Sequence, residues 1–305
     1  MQHDLIAGLK ERFAVSENEM ETAKNNALLA ITEGKLPSEN PLLIILGGQV
    51  GSRKEELKVL VLEDLEENIL FLSLEDLRKY HPHYQVIKTE YPDMVQPLTA
   101  DFTRNVLANL EDFSIQQQFN VMLDATLSNA ESVKAKINKF KPHSFEIALR
   151  MVAIHKLFSY LNVEESYEKM LLSGNDGNLV SKQYHDQNFE EIGITLQKMD
   201  VNNLLDKVQI YKCETVEKED ILTSTIQLLD THKNTFIDSY LRERNRDFTD
   251  TELIFLKEKA LQIKAMKKSR DAYFLEKLRF DFNVKSLIEG KETKLKSPKL
   301  TNIKS

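Results

Sequence analysis

Apolar residues at Leu5, Leu9 and Phe13, then at Met20, Ala23, Ala27 and Leu28, recur with helical spacing until Pro37 and Pro41 break the pattern. This predicts one or two amphipathic helices over residues 1–36. The pattern then changes. Leu42-Leu-Ile-Ile-Leu46 is a short, wholly apolar run ending in paired glycines, as expected of a buried parallel strand entering a turn. A helix is predicted from about Lys54 to Glu66. Similar short runs at 69–72, 120–124, 147–154 and 208–211 predict four more strands, with a helix around 102–113 between two of them. Strands separated by helix-length segments predict an α/β fold: a parallel sheet with right-handed crossovers and helices on both faces. From Glu217 the apolar spacing reads as helical, with Leu253, Leu256, Ala260 and Ile263 on one face. The expected organisation is a core domain over 37–215, a helical extension over 216–289 and a disordered basic tail over 290–305.

Composition narrows the class. The chain has 305 residues, 41% of them apolar and 29% charged, enough to bury a full-sized core. The first residues carry charges and no unbroken apolar run, so neither a signal peptide nor a membrane span is expected. A single cysteine, Cys213, leaves no internal disulfide to form, which points to a reducing cytoplasm. The net charge of −7 conceals a basic C-terminal stretch containing Lys264, Lys267, Lys268 and Arg270. A solvated helix face explains that stretch without invoking nucleic acid. His81, His83 and His185 match no recurrent metal-ligand spacing.

Ligands of such sheets gather at the carboxyl ends of the strands. Three segments fall there: the turn after the first strand, Ser73–Glu75 and Asp124–Thr126. The turn, Gly48-Gln49-Val50-Gly51-Ser52-Arg53-Lys54-Glu55, approximates the phosphate-binding pattern G-x-x-x-x-G-K-[ST]. Gly48 and Lys54 fit. Arg53 stands where glycine leaves the backbone free, and Glu55 stands where a hydroxyl holds Mg²⁺. A carboxylate about 4 Å from a phosphate costs roughly 4 kcal/mol at an effective dielectric of about 20, unless a metal lies between them. Alternatively, Glu55 or Glu56 occupies the place of a phosphate at the helix N-terminus.

Further segments follow in a fixed order: Glu75-Asp-Leu-Arg-Lys-Tyr-His-Pro-His-Tyr84, Asp124-Ala-Thr126, Ser159-Tyr-Leu161, Tyr167-Glu168, Lys182-Gln-Tyr-His-Asp186 and Gln209-Ile-Tyr211. From about Pro41 to Tyr211 the chain thereby resembles the zeta toxin family. That family consists of P-loop kinases, usually paired with an antitoxin protein, that use ATP to phosphorylate UDP-N-acetylglucosamine.

The resemblance implies ATP and Mg²⁺ as cofactors and residues 48–55 as the nucleotide site. It implies Lys54 as the phosphate-binding lysine, Glu75 as the base for the sugar hydroxyl, and Asp124 and Thr126 on the substrate side. Glu55 and Asp124 are then candidate Mg²⁺ ligands. Each residue also has a plain structural reading: Glu75 and Thr126 as helix caps, Asp124 as a turn residue. Several family positions differ. Arginines expected near Thr126, Tyr167 and Lys182 are Ser128, Ser166 and Asn178, and a glutamate expected in the helix after Asp101 falls at Leu107 or Ala108. Such cations stabilise phosphoryl transfer, so two readings stand side by side: a weakened nucleotide-sugar kinase, and a pseudokinase that binds a nucleotide, a UDP-sugar or a protein without catalysis.

Overall fold

The computed structural model describes residues 2–125, 127–174, 180–201, 204–218 and 221–295. Its centre is a six-stranded sheet in the order β2 (Leu70–Leu72), β3 (Val121–Ala125), β1 (Leu42–Gly47), β4 (Glu146–Ala153), β5 (Lys207–Lys218), β6 (Ile221–Asp230). The first five are parallel, and β6 returns antiparallel to β5. β1 lies between β3 and β4, with Leu43 opposite both Val121 and Ile147. Its run is apolar throughout because both faces are covered. Leu43 and Ile45 enter one core with Val121, Leu123, Ile147 and Leu149, while Ile44 and Leu46 face the other with Met122 and Ala148.

Helices α1 (Gln2–Arg12) and α2 (Glu17–Thr32) form from the predicted N-terminal pattern, and a capping box between Ser16 and Glu19 starts the second. The crossovers are built from α3 (Lys54–Asp64), α4 (Leu74–Leu77), α5 (Tyr84–Glu90), α6 (Val95–Gln117), α7 (Ala130–Phe140), α8 (Lys156–Leu172) and α9 (Lys182–Val201). α6 extends beyond the expected stretch at both ends. Buried His81 packs edge-on against Phe102 of α6 at 4.8 Å between ring centroids, and its Nδ1 accepts the His83 backbone N–H at 3.1 Å. It thereby shapes the segment after β2.

The main departure lies at 217–230. This stretch is not helical: β5 continues to Lys218 and β6 occupies Ile221–Asp230, so the C-terminal helices begin only at α10 (Phe236–Asn245). The β-branched residues Ile221, Thr223, Thr225 and Ile226 suit a strand, and 221–227 pair with Lys212–Lys218, which outweighs the helical spacing read across the stretch. α11 (Asp250–Ser269) and α12 (Phe274–Leu295) follow, so helix continues six residues into the span expected to be disordered. Residues 296–305 lie outside the described residues. Among the described residues, no helix is long and apolar enough to cross a membrane.

The C-terminal helices are locked to α8 by buried charge. Glu168, fully buried, accepts from Lys267 Nζ at 2.6 Å and from Arg270 at 2.6 and 2.9 Å, while Lys267 also meets Glu164 at 2.9 Å and Glu276 at 3.2 Å. Burial opposes ionisation of Glu168, but the bonds from Arg270 and Lys267 outweigh it and hold the carboxyl below its usual range. Removing one member of a buried ion group leaves uncompensated charge behind. Glu168→Ala is therefore expected to lower stability by roughly 3 kcal/mol or more, read as a lower denaturant midpoint. A change under about 1 kcal/mol would mean that the group contributes as little as a surface pair.

Burial, reinforced by the charge of His83, pushes His81 down to about 4 from an ordinary value near 6.5. The unfolded chain therefore takes up a proton between those values that the folded chain refuses. The His81 contribution is complete above about pH 6.5 and is lost as pH falls toward 4. His81→Gln should flatten the decline in stability measured between pH 7 and pH 5.

Candidate active site

β1 ends against the side chain of Leu127, and the chain turns through residues 48–53 into α3. Two features of the turn require glycine. Gly51 has φ +77°, and a Cβ there would run into the Ser159 carbonyl of α8; Gly48 has φ +152° and no room beside Ser52. Arg53 also adopts the left-handed conformation, φ 68° and ψ 33°. Arginine holds that conformation at a cost of roughly 1–2 kcal/mol that glycine would not carry.

Packing beneath the turn explains how that strain is held. Gln49 is fully buried; its amide donates to Ser159 Oγ at 2.7 Å and lies 3.4 Å from the Ile154 carbonyl oxygen. Ser159 Oγ lies 2.8 Å from His185 Nε2, and His185 Nδ1 lies 3.1 Å from Asp186 Oδ1. Burial lowers the His185 pKa, which favours the neutral ring; Asp186 lies at Nδ1, and the Ser159 hydroxyl has both Nε2 and, at 3.0 Å, the Lys156 carbonyl oxygen within reach. The order Ser–His–Asp is that of a hydrolytic triad, but Ser159 and His185 are both wholly buried and no substrate reaches them. Here the chain of bonds fixes the loop. Asn162 donates to the Gly51 carbonyl at 2.8 Å, and Asn188 accepts the Val50 N–H at 3.2 Å.

Above the turn, Lys54 Nζ meets Asp124 Oδ1 at 2.6 Å. This pair stands between two cavities. One, of ≈ 580 Å³, is walled by the turn, by Asn162 and Ser166 of α8, by Leu222–Ser224 of β6 and by Phe255, Lys259 and Gln262 of α11. The other, of ≈ 770 Å³, runs from Asp124 past Ser128 to Glu75 on α4 and contains Arg78, Lys88 and Lys136. Both have the size of small-molecule sites. Ser52, buried within the turn, has a hydroxyl without a protein partner.

The residues selected from sequence thus divide. Gln49, Gly51, Ser52, Arg53, Lys54 and Glu55 line the first cavity, Glu75 and Asp124 line the second, and Gly48 and Val50 shape the turn without lining either. Thr126 and Asn178 lie outside the described residues. Glu75 is exposed at the cavity lip and ion-paired to Arg78. Glu56 does not take a phosphate's place: it pairs with Arg53, whose guanidinium also meets Ser224, while Glu55 stays exposed. Glu55 and Asp124 carry hard carboxylate oxygens of the kind that would suit Mg²⁺, but they line different cavities. Among the described residues no three His, Cys, Asp or Glu side chains converge on a metal position.

Sequence reasoning missed Asn188 and the α11 wall. Asn162 was accessible to it, one helical turn after Ser159, whereas Asn188 and Phe255 carry no local signal because tertiary packing alone brings them to the turn.

Residues 25–237 match the family model described as Zeta toxin. The chain is 25% identical to Toxin PezT of Streptococcus pneumoniae over 198 residues, which is 65% of this chain and 78% of that protein. It is 23% identical to Toxin zeta of Streptococcus pyogenes over 207 residues, 66% of this chain and 71% of that one. A solved structure from a study of the PezAT chromosomal toxin-antitoxin system of S. pneumoniae superposes with a TM-score of 0.72 at 19% identity, covering 84% of this chain and 98% of the other, and so shares its fold. On the family match across most of its length, the chain belongs to the zeta toxin family.

Proposed function

We propose that this protein is a nucleotide-dependent phosphotransferase acting on an anionic nucleotide sugar such as UDP-N-acetylglucosamine, with reduced catalytic power. The observation that carries this reading is the Lys54–Asp124 pair at the junction of two cavities, one at the phosphate loop and one lined by cations. The backbone of residues 48–53 and the Lys54 ammonium would receive the phosphates of ATP in the first cavity. Arg78, Lys88 and Lys136 would hold the diphosphate of the acceptor in the second. Mg²⁺ bound by Asp124 or Glu55 would supply neutralising charge to the phosphates.

Transfer then needs the acceptor hydroxyl oxygen to attack the terminal phosphorus as its proton passes to Glu75, while the bond to the bridging oxygen breaks and ADP leaves. Glu75 has the reach for this only if its carboxylate exchanges Arg78 for the incoming hydroxyl. Ser128 and Ser166 bring no charge to the two cavities, which removes transition-state stabilisation and accounts for the reduced power. By analogy with its relatives, an antitoxin protein is the expected partner, and it would act by covering the nucleotide cavity.

A second reading, a pseudokinase that binds without catalysis, is favoured by one observation. The Arg53–Glu56 pair sits within the nucleotide cavity, where a bare glycine would leave room for phosphate.

Incubation with ATP, Mg²⁺ and UDP-N-acetylglucosamine should yield a phosphorylated sugar detectable by mass spectrometry. Lys54→Ala should reduce the rate by about 10²-fold or more, as expected for loss of a principal transition-state cation. No product above the Lys54→Ala background, in folded protein, sinks the kinase reading. Restoring the loop with Arg53→Gly and Glu55→Thr together should tighten ATP binding by about tenfold or more, through removal of like charge near the phosphates. Unchanged affinity would show that the loop does not receive the nucleotide.

A further inference from the structure

Arg244 of α10 is 4% exposed, and no carboxylate lies within ion-pairing distance of it among the described residues. One terminal nitrogen donates to the Phe189 carbonyl and the other to Tyr240 Oη at 3.3 Å, while Nε has no partner. The guanidinium lies 3.4 Å from the centroid of the Phe189 ring. Stacking on an aromatic face offsets part of the desolvation of a buried cation, but a counter-charge is still missing. Elsewhere the fold meets buried charge differently: Lys267 touches three carboxylates.

Arg244 also lines a third cavity, ≈ 480 Å³, between α9, α10, α12 and the first turn of α8. Lys156 stands beside it, already engaged with Asp186 at 3.6 Å and Glu190 at 3.5 Å. Asn245, Gln197 and Ser286 add neutral polar groups; Leu157, Ile194 and Leu241 make the rest largely apolar. Asp247 and Glu190 are the two acids on the wall, and neither is paired with Arg244 among the described residues. Gly193, midway along α9, lines the space, and a Cβ there would stand in ordinary contact at 3.6 Å with Arg244 Nη1 and Leu241 Cδ2, so only a larger side chain would fill it. None of these lining residues belongs to the two cavities at the phosphate loop.

We propose that this cavity is a binding site for a small organic anion, with a carboxylate or phosphate head bound by Arg244 and an apolar body against Leu157, Ile194 and Leu241. The planar guanidinium makes one bond from each terminal nitrogen, and the donors left over on those two nitrogens match a two-oxygen head group. The site touches the catalytic machinery indirectly. Phe189, which carries Arg244, follows Asn188, which holds Val50 of the loop.

The test uses the Lys54→Ala protein, so that binding at the phosphate loop does not contribute, with benzoate and phenyl phosphate as probes at ionic strength held constant by chloride. At least one probe should raise Tm saturably, by roughly 2 °C once it exceeds about tenfold its Kd. Arg244→Met, which exchanges a buried unpaired cation for an apolar chain, should fold with unchanged or higher Tm and lose that response. Gly193→Leu, which fills the cavity while leaving Arg244 in place, should lose it as well. The proposal is overturned if neither probe raises Tm beyond the chloride control, or if the rise survives in either folded variant.

Discussion

Beneath the phosphate loop, Gln49 binds Ser159, and Ser159 in turn is held by His185 and Asp186. The rest of the site depends on this buried chain. A residue other than glycine in a left-handed turn persists only where its surroundings over-determine the backbone. Arg53 is such a residue, and with Asn162 and Asn188 fastening the loop's outer atoms, the turn has nowhere else to go. Its shape directs Lys54 to Asp124, and the two cavities meet at that pair.

Form and chemistry have therefore diverged within this member of the zeta toxin family. The turn keeps a glycine-rich backbone form with Arg53 in the left-handed region, while the side chains around it differ from those the family resemblance implies. Arg53 adds a cation and turns it toward Glu56 and Ser224; Ser166 and Ser128 add none. The second cavity carries Arg78, Lys88 and Lys136, of which Arg78 pairs with Glu75 and Lys136 with Glu111. The C-terminal helices take part as well, because α11 walls the cavity beside the turn and is locked to α8 by Glu168, Lys267 and Arg270. An extension that reads in sequence as an appendage is built into the site.

Much of this was legible in the chain. The five parallel strands, the turn after β1 and the placement of Glu75 and Asp124 at strand ends follow from apolar runs bounded by glycine or polar residues, which are local signals. β6 was missed because Ile221, Ile226 and Leu229 also satisfy helical spacing, and only pairing with β5 decides between the two periods. Lys54 stands out in sequence by its place in the glycine-rich turn, but its pairing with Asp124 joins residues 70 positions apart and has no local trace. Glu56 illustrates the same gap. The helix dipole alone would place it over the N-terminus of α3, yet the nearer guanidinium of Arg53 claims it. The unpaired charge on Arg244 becomes apparent only once its neighbours are in place.

The central claim is that residues 48–54 still form a receiver for nucleotide phosphates despite Arg53 and Glu55. Calorimetric titration of the protein with Mg·ATP tests it most directly, with Lys54→Ala alongside. Saturable binding that is abolished or weakened at least about tenfold by Lys54→Ala is the predicted result. Absence of binding to folded protein, or equal binding by the variant, would contradict it.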